Sequence, residues 1–489
     1  VERLSGADAT FLYTETPRTP MEVATCLVID TSTQPRGDAL RLRVRDHLEA
    51  RLHLAPPLRR RLVRVPFELD HPVWVEDPHF DLDHHLHHLA MPSPGTLDQL
   101  AELIAPILSR PLDRSRPLWE IHLIEGLEGD QGALFVKTHH AAIDGVAGFE
   151  LLSTLVDLSA DAPAPPPPED PWVPDREPND LELVTGAVAD LARQPLRATR
   201  AAARLVAGAV RSQRRGDSPV AALGATSAPR SPFNRRLGSR RHLRFTDLDL
   251  GELRAVKEAA GVKLNDVVLA VVGGALRRYL LRLGELPDRS LVAFVPVTLR
   301  TGDAAGANLT SVVYVELATD EDDPARRLAR VAAAATDAKA AHAELGPPAL
   351  VDLTELTGPA VGSLVGRLWI ATRFNERTRM AGNVVVSNIP GIEVPLYAGG
   401  AEVRRILPVG PVTDGTGLNL TMLSYRDRLE LSVFGDRDAL VAPDRLVEDL
   451  HAAHEELRSA IVAPAEASRP AGRTTASSRR RRTRPVSPR

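Results

Sequence analysis

Two adjacent histidines, His139 and His140, close an apolar run that begins at Gly132, and Asp144 and Gly145 follow after three intervening residues. The run from Gly132 to Thr138 reads as a strand leading into a loop. Period-two alternation along it places the two imidazoles on opposite faces, so only one can face a shared cleft. A single general base is the natural reading. A histidine restrained at a strand end suits that role because its neutral ring can accept a hydroxyl proton near neutral pH. Attack of an alcohol on a thioester needs that proton removed as the C–O bond forms, and positioned proton transfer is worth about 10²–10⁴-fold. Asp144 either assists the ring or turns away from it to hold the loop through an arginine.

The elements that must position these residues lie on both sides of them. Residues 1–160 read as a mixed α and β domain. It has a strand over 21–29 and a helix over 38–53 with Leu40, Val44, Leu48 and Leu52 on one face. A second helix runs from Leu97 to Leu108, with Pro106 as a candidate break, and a further strand runs from Trp119 to Ile124. Val146, Phe149 and Leu152 begin a helix after the histidine loop. Residues 161–240 read as a linker: consecutive prolines that favour an extended chain, a helical stretch over 181–214 interrupted at Pro195, and a Ser/Pro/Gly/Arg loop. A second mixed domain covers 241–463. Its elements are an apolar helix from Asp266 to about Leu281, helices over 324–343 and 443–462, and strands over 291–297, 311–317, 383–387, 418–425 and 428–434. Residues 464–489, rich in Arg, Pro, Ser and Thr, are expected to be disordered.

Bulk properties narrow the function classes. A chain of 489 residues exceeds what one core holds, which fits two domains and linkers. The single cysteine, Cys26, excludes an intrachain disulfide framework and thiolate metal clusters. No uninterrupted apolar run reaches 18 residues and the first residues lack a signal-type apolar core, so a cytosolic protein is expected. The net charge of −4 hides an acidic body and a tail with eight arginines, a distribution that does not suit nucleic-acid binding. Neither a Walker loop nor a Gly-x-Ser-x-Gly elbow occurs, which disfavours nucleotide hydrolysis and serine-hydrolase chemistry.

The stretch His139-His140-x-x-x-Asp144-Gly145 is similar to the signature of the chloramphenicol acetyltransferase-like, CoA-dependent acyltransferase superfamily. Within it the chain resembles the bacterial wax ester synthase/diacylglycerol acyltransferase family. Leu4-Ser5-Gly6-Ala7-Asp8 resembles that family's opening, Pro117-Leu118-Trp119 its Pro-Leu-Trp motif and Asn265-Asp266 its Asn-Asp motif. Ser387-Asn388-Ile389-Pro390-Gly391 and Gly417-Leu418-Asn419 resemble segments near its C-terminal end. The resemblance implies an α/β fold of two chloramphenicol acetyltransferase-like lobes with mixed sheets, meeting at a central cleft or tunnel. It implies acyl-CoA as co-substrate with no other cofactor and no metal, and diacylglycerol or a long-chain alcohol as acceptor. His140 would be the base, with His139, Asp144 and Gly145 completing the catalytic motif and Arg300 as the candidate partner of Asp144. Asn265, Asp266, Ser387 and Asn388 are candidate substrate contacts. Each also has a plainer reading, as a helix N-cap or a turn residue. Trp119 reads as core.

Other features compete for attention. The run Asp83-His84-His85-Leu86-His87-His88 places His85 and His87 on one face if it is a strand, which would permit zinc ligation. A solvated edge strand is the preferred reading. The basic amphipathic stretch 196–214 suits an anionic membrane or lipid-body surface, or a connector between lobes, and the connector is preferred. Two further functions stay open: a condensation-type domain acting on carrier-bound substrates, and a non-enzymatic lipid-body protein that retains the fold.

Overall fold

The computed structural model describes residues 2–142, 152, 154–170, 172–191, 228–299, 309–345 and 381–467. The first large sheet is built on β2 (Glu22–Asp30), β7 (Gln131–His139) and β6 (Trp119–Leu127), all antiparallel to their neighbours, with β5 (Leu86–Ala90) parallel to β6 at one edge. Helix α2 (Asp38–Glu49) buries Leu40, Val44 and Leu48, an i, i+4, i+8 stripe, in the same core as Leu27, Ile29, Leu134 and Val136. Helix α3 (Leu97–Leu108) covers the other face. It starts at a capping box in which Thr96 Oγ1 accepts from the Gln99 amide at 3.2 Å and Gln99 Oε1 accepts from the Thr96 amide at 2.9 Å. It continues past Pro106 to Leu108 rather than ending there.

The second large sheet runs in the order β10 (Leu309–Glu316), β9 (Val292–Leu299), β11 (Val384–Ile392), β14 (Leu418–Tyr425), β15 (Arg428–Asp436), β8 (Arg241–Asp249). Strand β11 is parallel to both neighbours and the rest are antiparallel. Helices α4 (Leu250–Ala260), α5 (Leu264–Leu283), α6 (Pro324–Leu345) and α7 (Pro443–Ala467) complete this half. A small sheet, β1 (Glu2–Arg3), β4 (Val73–Glu76) and β3 (Arg60–Val63), flanks the N-terminal half. The α/β class with mixed sheets is therefore as expected.

One element departs from the division of the chain at 241–463. Strands β12 (Tyr397–Ala398) and β13 (Ala401–Val409) leave the second half and extend the first sheet, with β13 antiparallel to β2. The reason lies in its side chains, because β13 is buried on both faces. Ile406 joins the core of Leu27 and Ile29, and Leu407 joins that of Cys26 and Val28. Such a strand needs partners above and below. Arg405 then ties the sheets together. Its guanidinium donates to Glu430 of β15 at 2.6–3.0 Å and to Asp247 of β8 at 2.7 Å.

Helix α5 is the centre of the second half. Residues Val267 to Leu276 are buried without interruption, so the helix is core rather than surface. No single helix among the described residues is long and apolar enough to cross a membrane. Gly273 lets α5 approach the backbone after β10, since a Cβ there would overlap the Leu317 carbonyl oxygen. Gly273→Ala is therefore expected to destabilise the protein by about 1–3 kcal/mol through overpacking, read as a lowered midpoint in chemical denaturation. An unchanged midpoint would show that α5 has slack at this contact.

Candidate active site

Strand β7 stops at His139, and His140 opens a short 3-10 turn over His140–Ala142. This changes the expected geometry. The two imidazoles are not on opposite faces of one strand, because the backbone turns between them, and both meet helix α1 (Gly6–Thr14). That helix begins at Ser5, whose Oγ accepts from the Asp8 amide at 3.1 Å and donates to the Asp8 carboxylate at 2.6 Å. Started there, α1 places Phe11 flat against His140, with ring centroids 3.8 Å apart and planes 16° apart, and ends at Glu15. Glu15 Oε2 lies 2.5 Å from His139 Nε2. The family-like opening thus acts through Phe11 and Glu15, one residue for each imidazole.

The hydrogen bonds fix the His139 tautomer. Its Nδ1 accepts from the Ala141 amide at 3.0 Å, so Nε2 carries the hydrogen and donates to Glu15. Glu15 is also paired with Arg114 at 3.0 Å. Burial works against the Glu15 charge, but the hydrogen bond from His139 and the Arg114 guanidinium together hold the carboxyl below its usual range. His139, fully buried with both nitrogens engaged, is a positioning group. His140 is half-buried. Its amide donates to the Met21 carbonyl at 2.8 Å, while its Nδ1 is buried with no hydrogen-bond partner among the described residues. Burial, opposed by a polar contact with its own backbone and aided by His139, pulls its imidazole down to about 4, so the ring is neutral at physiological pH.

Behind the histidines the sheet carries a buried polar ladder. Glu22 of β2 is the register partner of His139, and Lys137 of β7 is the partner of Glu120 on β6. Lys137 Nζ donates to the Ile107 and Arg110 carbonyl oxygens and to Glu120 at 2.6–3.2 Å. Glu22 Oε1 accepts from the Leu112 amide at 3.0 Å, but its Oε2 is buried with no partner. Burial outweighs the nearby Lys137 charge and pushes the Glu22 carboxyl up to about 8. Glu15, Glu22, Phe11 and Arg114 escape a motif-based reading. The only visible signals were a carboxylate and an ammonium set in otherwise apolar strands.

The remaining candidates fall into two groups. The Leu118 carbonyl accepts from the His139 amide at 3.0 Å, so the Pro117-Leu118-Trp119 segment braces the end of β7. Trp119 is core, with Nε1 donating to the Leu58 carbonyl at 2.7 Å. In the second half Asn265, on the first turn of α5, accepts at 3.3 Å from the amide of Asn388 on β11. Two motifs far apart in sequence therefore meet. Asp266 caps the helix by accepting from the Lys263 amide at 3.1 Å. Ser387, half-buried, sits beside Asn388 opposite Thr421 of β14. Asp144, Gly145 and Arg300 lie outside the described residues.

An imidazole fixed at a strand end, in a chain of two mixed sheets joined by a crossover strand, is the architecture of chloramphenicol acetyltransferase-like acyltransferases. The comparisons with known proteins narrow the class. Residues 4–268 match the model of the wax ester synthase/diacylglycerol acyltransferase catalytic domain, and residues 306–458 match the WS/DGAT C-terminal domain. The chain belongs to this family of O-acyltransferases. A Mycobacterium tuberculosis (strain CDC 1551 / Oshkosh) protein, provisionally named a diacylglycerol O-acyltransferase, is 38% identical over 90% of this chain and 87% of its own length. A second from the same strain, also provisionally so named, is 36% identical over 95% and 98%. The wax ester synthase/diacylglycerol acyltransferase from Marinobacter aquaeolei VT8 superposes with a TM-score of 0.67 at 30% identity, covering 95% of this chain and all of that one. The first condensation domain of the calcium-dependent antibiotic synthetase, 18% identical with a TM-score of 0.55 over 95% of this chain and 97% of its own, shares the fold.

Two expectations follow. Removing His139 strips a hydrogen bond from a buried carboxylate, so His139→Ala should cost about 1.5–3 kcal/mol of stability. His140→Ala, which breaks no side-chain hydrogen bond among the described residues, should cost less. Denaturant melts of the two variants decide this, and equal losses would contradict the assigned roles. Glu22, raised from an ordinary 4.5 to about 8, holds a proton in the folded state that the unfolded chain releases. Its contribution is intact below about pH 4.5 and is lost as pH rises through about 8. Glu22→Gln should therefore flatten the fall in thermal midpoint between about pH 5 and 9, and parallel curves for variant and parent would count against it.

Proposed function

We propose that the protein transfers a long-chain acyl group from acyl-CoA to diacylglycerol, a long-chain alcohol, or both, giving triacylglycerol or wax ester. His140 is the general base. It takes the acceptor hydroxyl proton through a ring nitrogen as the oxygen attacks the thioester carbonyl. The C–O bond forms, the C–S bond breaks, and the proton passes on to the departing CoA thiolate. The attack is direct, with no acyl-enzyme and no cofactor beyond acyl-CoA itself. The observation that carries this reading is the placement of His140, its ring stacked on Phe11 and its backbone amide donating to the Met21 carbonyl, beside a histidine whose nitrogens are both engaged. A ring that burial keeps unprotonated is available as an acceptor, and negative charge developing on the carbonyl oxygen favours its protonation in the transition state.

Asp144 and Gly145 would shape the loop after His140, with Arg300 as the partner of Asp144. Asn265, Asp266, Ser387 and Asn388 would present polar contacts to substrate, supported by the hydrogen bond from Asn388 to Asn265. We place the enzyme in the cytoplasm, working peripherally at the inner membrane or a lipid-body surface, where its acceptors reside.

The test supplies purified protein with palmitoyl-CoA and either dioleoylglycerol or hexadecanol, and follows free CoA. Release dependent on one of these acceptors is expected, and His140→Ala should lower it by about 10²–10⁴-fold without loss of fold. CoA release that ignores both acceptors, with robust turnover on carrier-bound substrates, would favour a condensation-type reaction. No turnover in either assay from folded protein would favour a non-enzymatic role.

A further inference from the structure

The geometry points to a divalent transition-metal site, of the zinc class, formed by His87, Glu120 and His122 at the open edge of the first sheet. Strand β5 begins at Leu86, so His85 precedes it and does not share a face with His87. The His85 ring turns inward, with Nδ1 2.7 Å from the Trp119 carbonyl oxygen, and is spent there. The partner of His87 comes instead from the neighbouring strand. His87 and His122 are register partners across β5 and β6, and Glu120 stands two residues before His122 on the same face.

Three donors converge as a result. Their ligating atoms all lie within 4.8 Å of one another. His122 Nε2 is 3.2 Å from Glu120 Oε1, and His87 Nε2 is 3.7 Å from Glu120 Oε2. Zinc bound to nitrogen and oxygen at about 2.0–2.2 Å in a tetrahedron sets neighbouring donors about 3.3–3.4 Å apart. The two separations to the Glu120 carboxylate, one to each oxygen, bracket that value.

His122 supplies an independent reason. It is only 8% exposed, its Nδ1 has no hydrogen-bond partner among the described residues, and its Nε2 meets the Glu120 carboxylate at 3.2 Å without good hydrogen-bond alignment. A buried imidazole so poorly satisfied is costly. A metal ion between the two strands would take up the Nε2 lone pair. Lys137, donating to Glu120 Oε1 at 3.2 Å, would orient the carboxylate from outside the ligand set. His87 is 41% exposed through its side chain, which gives an ion a way in from solvent and leaves a coordination position for water. The ion would pin the parallel edge strand β5 to β6. It is separate from the His139–His140 chemistry.

The test titrates Co²⁺ into the full-length protein after chelator treatment, and reads both the visible absorption of tetrahedral Co²⁺ and the thermal midpoint with added Zn²⁺. One equivalent of Co²⁺ is expected to develop the band, Zn²⁺ to bleach it, and Zn²⁺ to raise the midpoint. His87→Ala, at a half-exposed position that should not disturb folding, and Glu120→Gln should each weaken binding by at least about tenfold. His84→Ala, a nearby surface histidine outside the cluster, should bind as the parent does. No band in the parent protein, or binding left unchanged by His87→Ala, overturns the proposal.

Discussion

The site depends on how His139 is held. Its Nδ1 is occupied by the Ala141 amide and its Nε2 by Glu15, which is itself clamped by Arg114. With no free nitrogen, His139 cannot exchange protons with a substrate without breaking that frame. What it does is fix the backbone at the end of β7 so that the next residue leaves the strand. His140 then emerges on a turn rather than in the ladder, with its amide on Met21 and its ring against Phe11. One imidazole is spent on structure, and the other is the one to which the proposal assigns the chemistry.

The same economy runs through α1 and the crossover strand. Helix α1 buries Ala9 and Leu12 in a small core with Leu4 and Ala141, and it delivers Phe11 and Glu15 because Ser5 starts it at the right residue. Strand β13 carries the second half of the chain into the first sheet, beside β2, whose first residue pairs with His139. Arg405 then bonds back to Glu430 and Asp247 in the second sheet. The two halves are therefore joined by main-chain pairing as well as by side-chain contact.

Much of this was legible in the chain itself, and the limits have physical causes. Strands with a continuous apolar run, such as β7 and β14, and helices with a clean apolar stripe, such as α2, declare themselves. The short strand β4 does not, because four residues are too few to show a period, and neither do β3 and β8, where Arg60, Arg61, Arg241 and Arg244 mask the alternation. Strand β13 is not among the elements expected from the sequence, because Glu402, Arg404 and Arg405 interrupt its apolar run, and which sheet receives it is a tertiary fact. At the site, the histidine motif was visible because its residue types are rare together. Glu15, Glu22 and Phe11 are common residues whose roles arise from partners far away in sequence, such as Arg114 and Lys137. His85 shows the converse. A histidine cluster in sequence separates in space, and His87 finds His122 only once β5 lies beside β6.

The central claim is that the two adjacent imidazoles differ in state: His139 locked as the Nε2–H tautomer, His140 neutral through the physiological range. Nitrogen-15 NMR of histidine-labelled protein, titrated between about pH 4 and 8 and assigned with His139→Gln and His140→Gln variants, reads both rings directly. The account predicts that the His140 nitrogens keep neutral-ring shifts down to about pH 5, and that in the neutral His139 ring Nε2 carries the hydrogen and Nδ1 is the acceptor. A His140 ring that protonates with a midpoint near its ordinary 6.5, or a His139 ring that exchanges freely between tautomers, would contradict it.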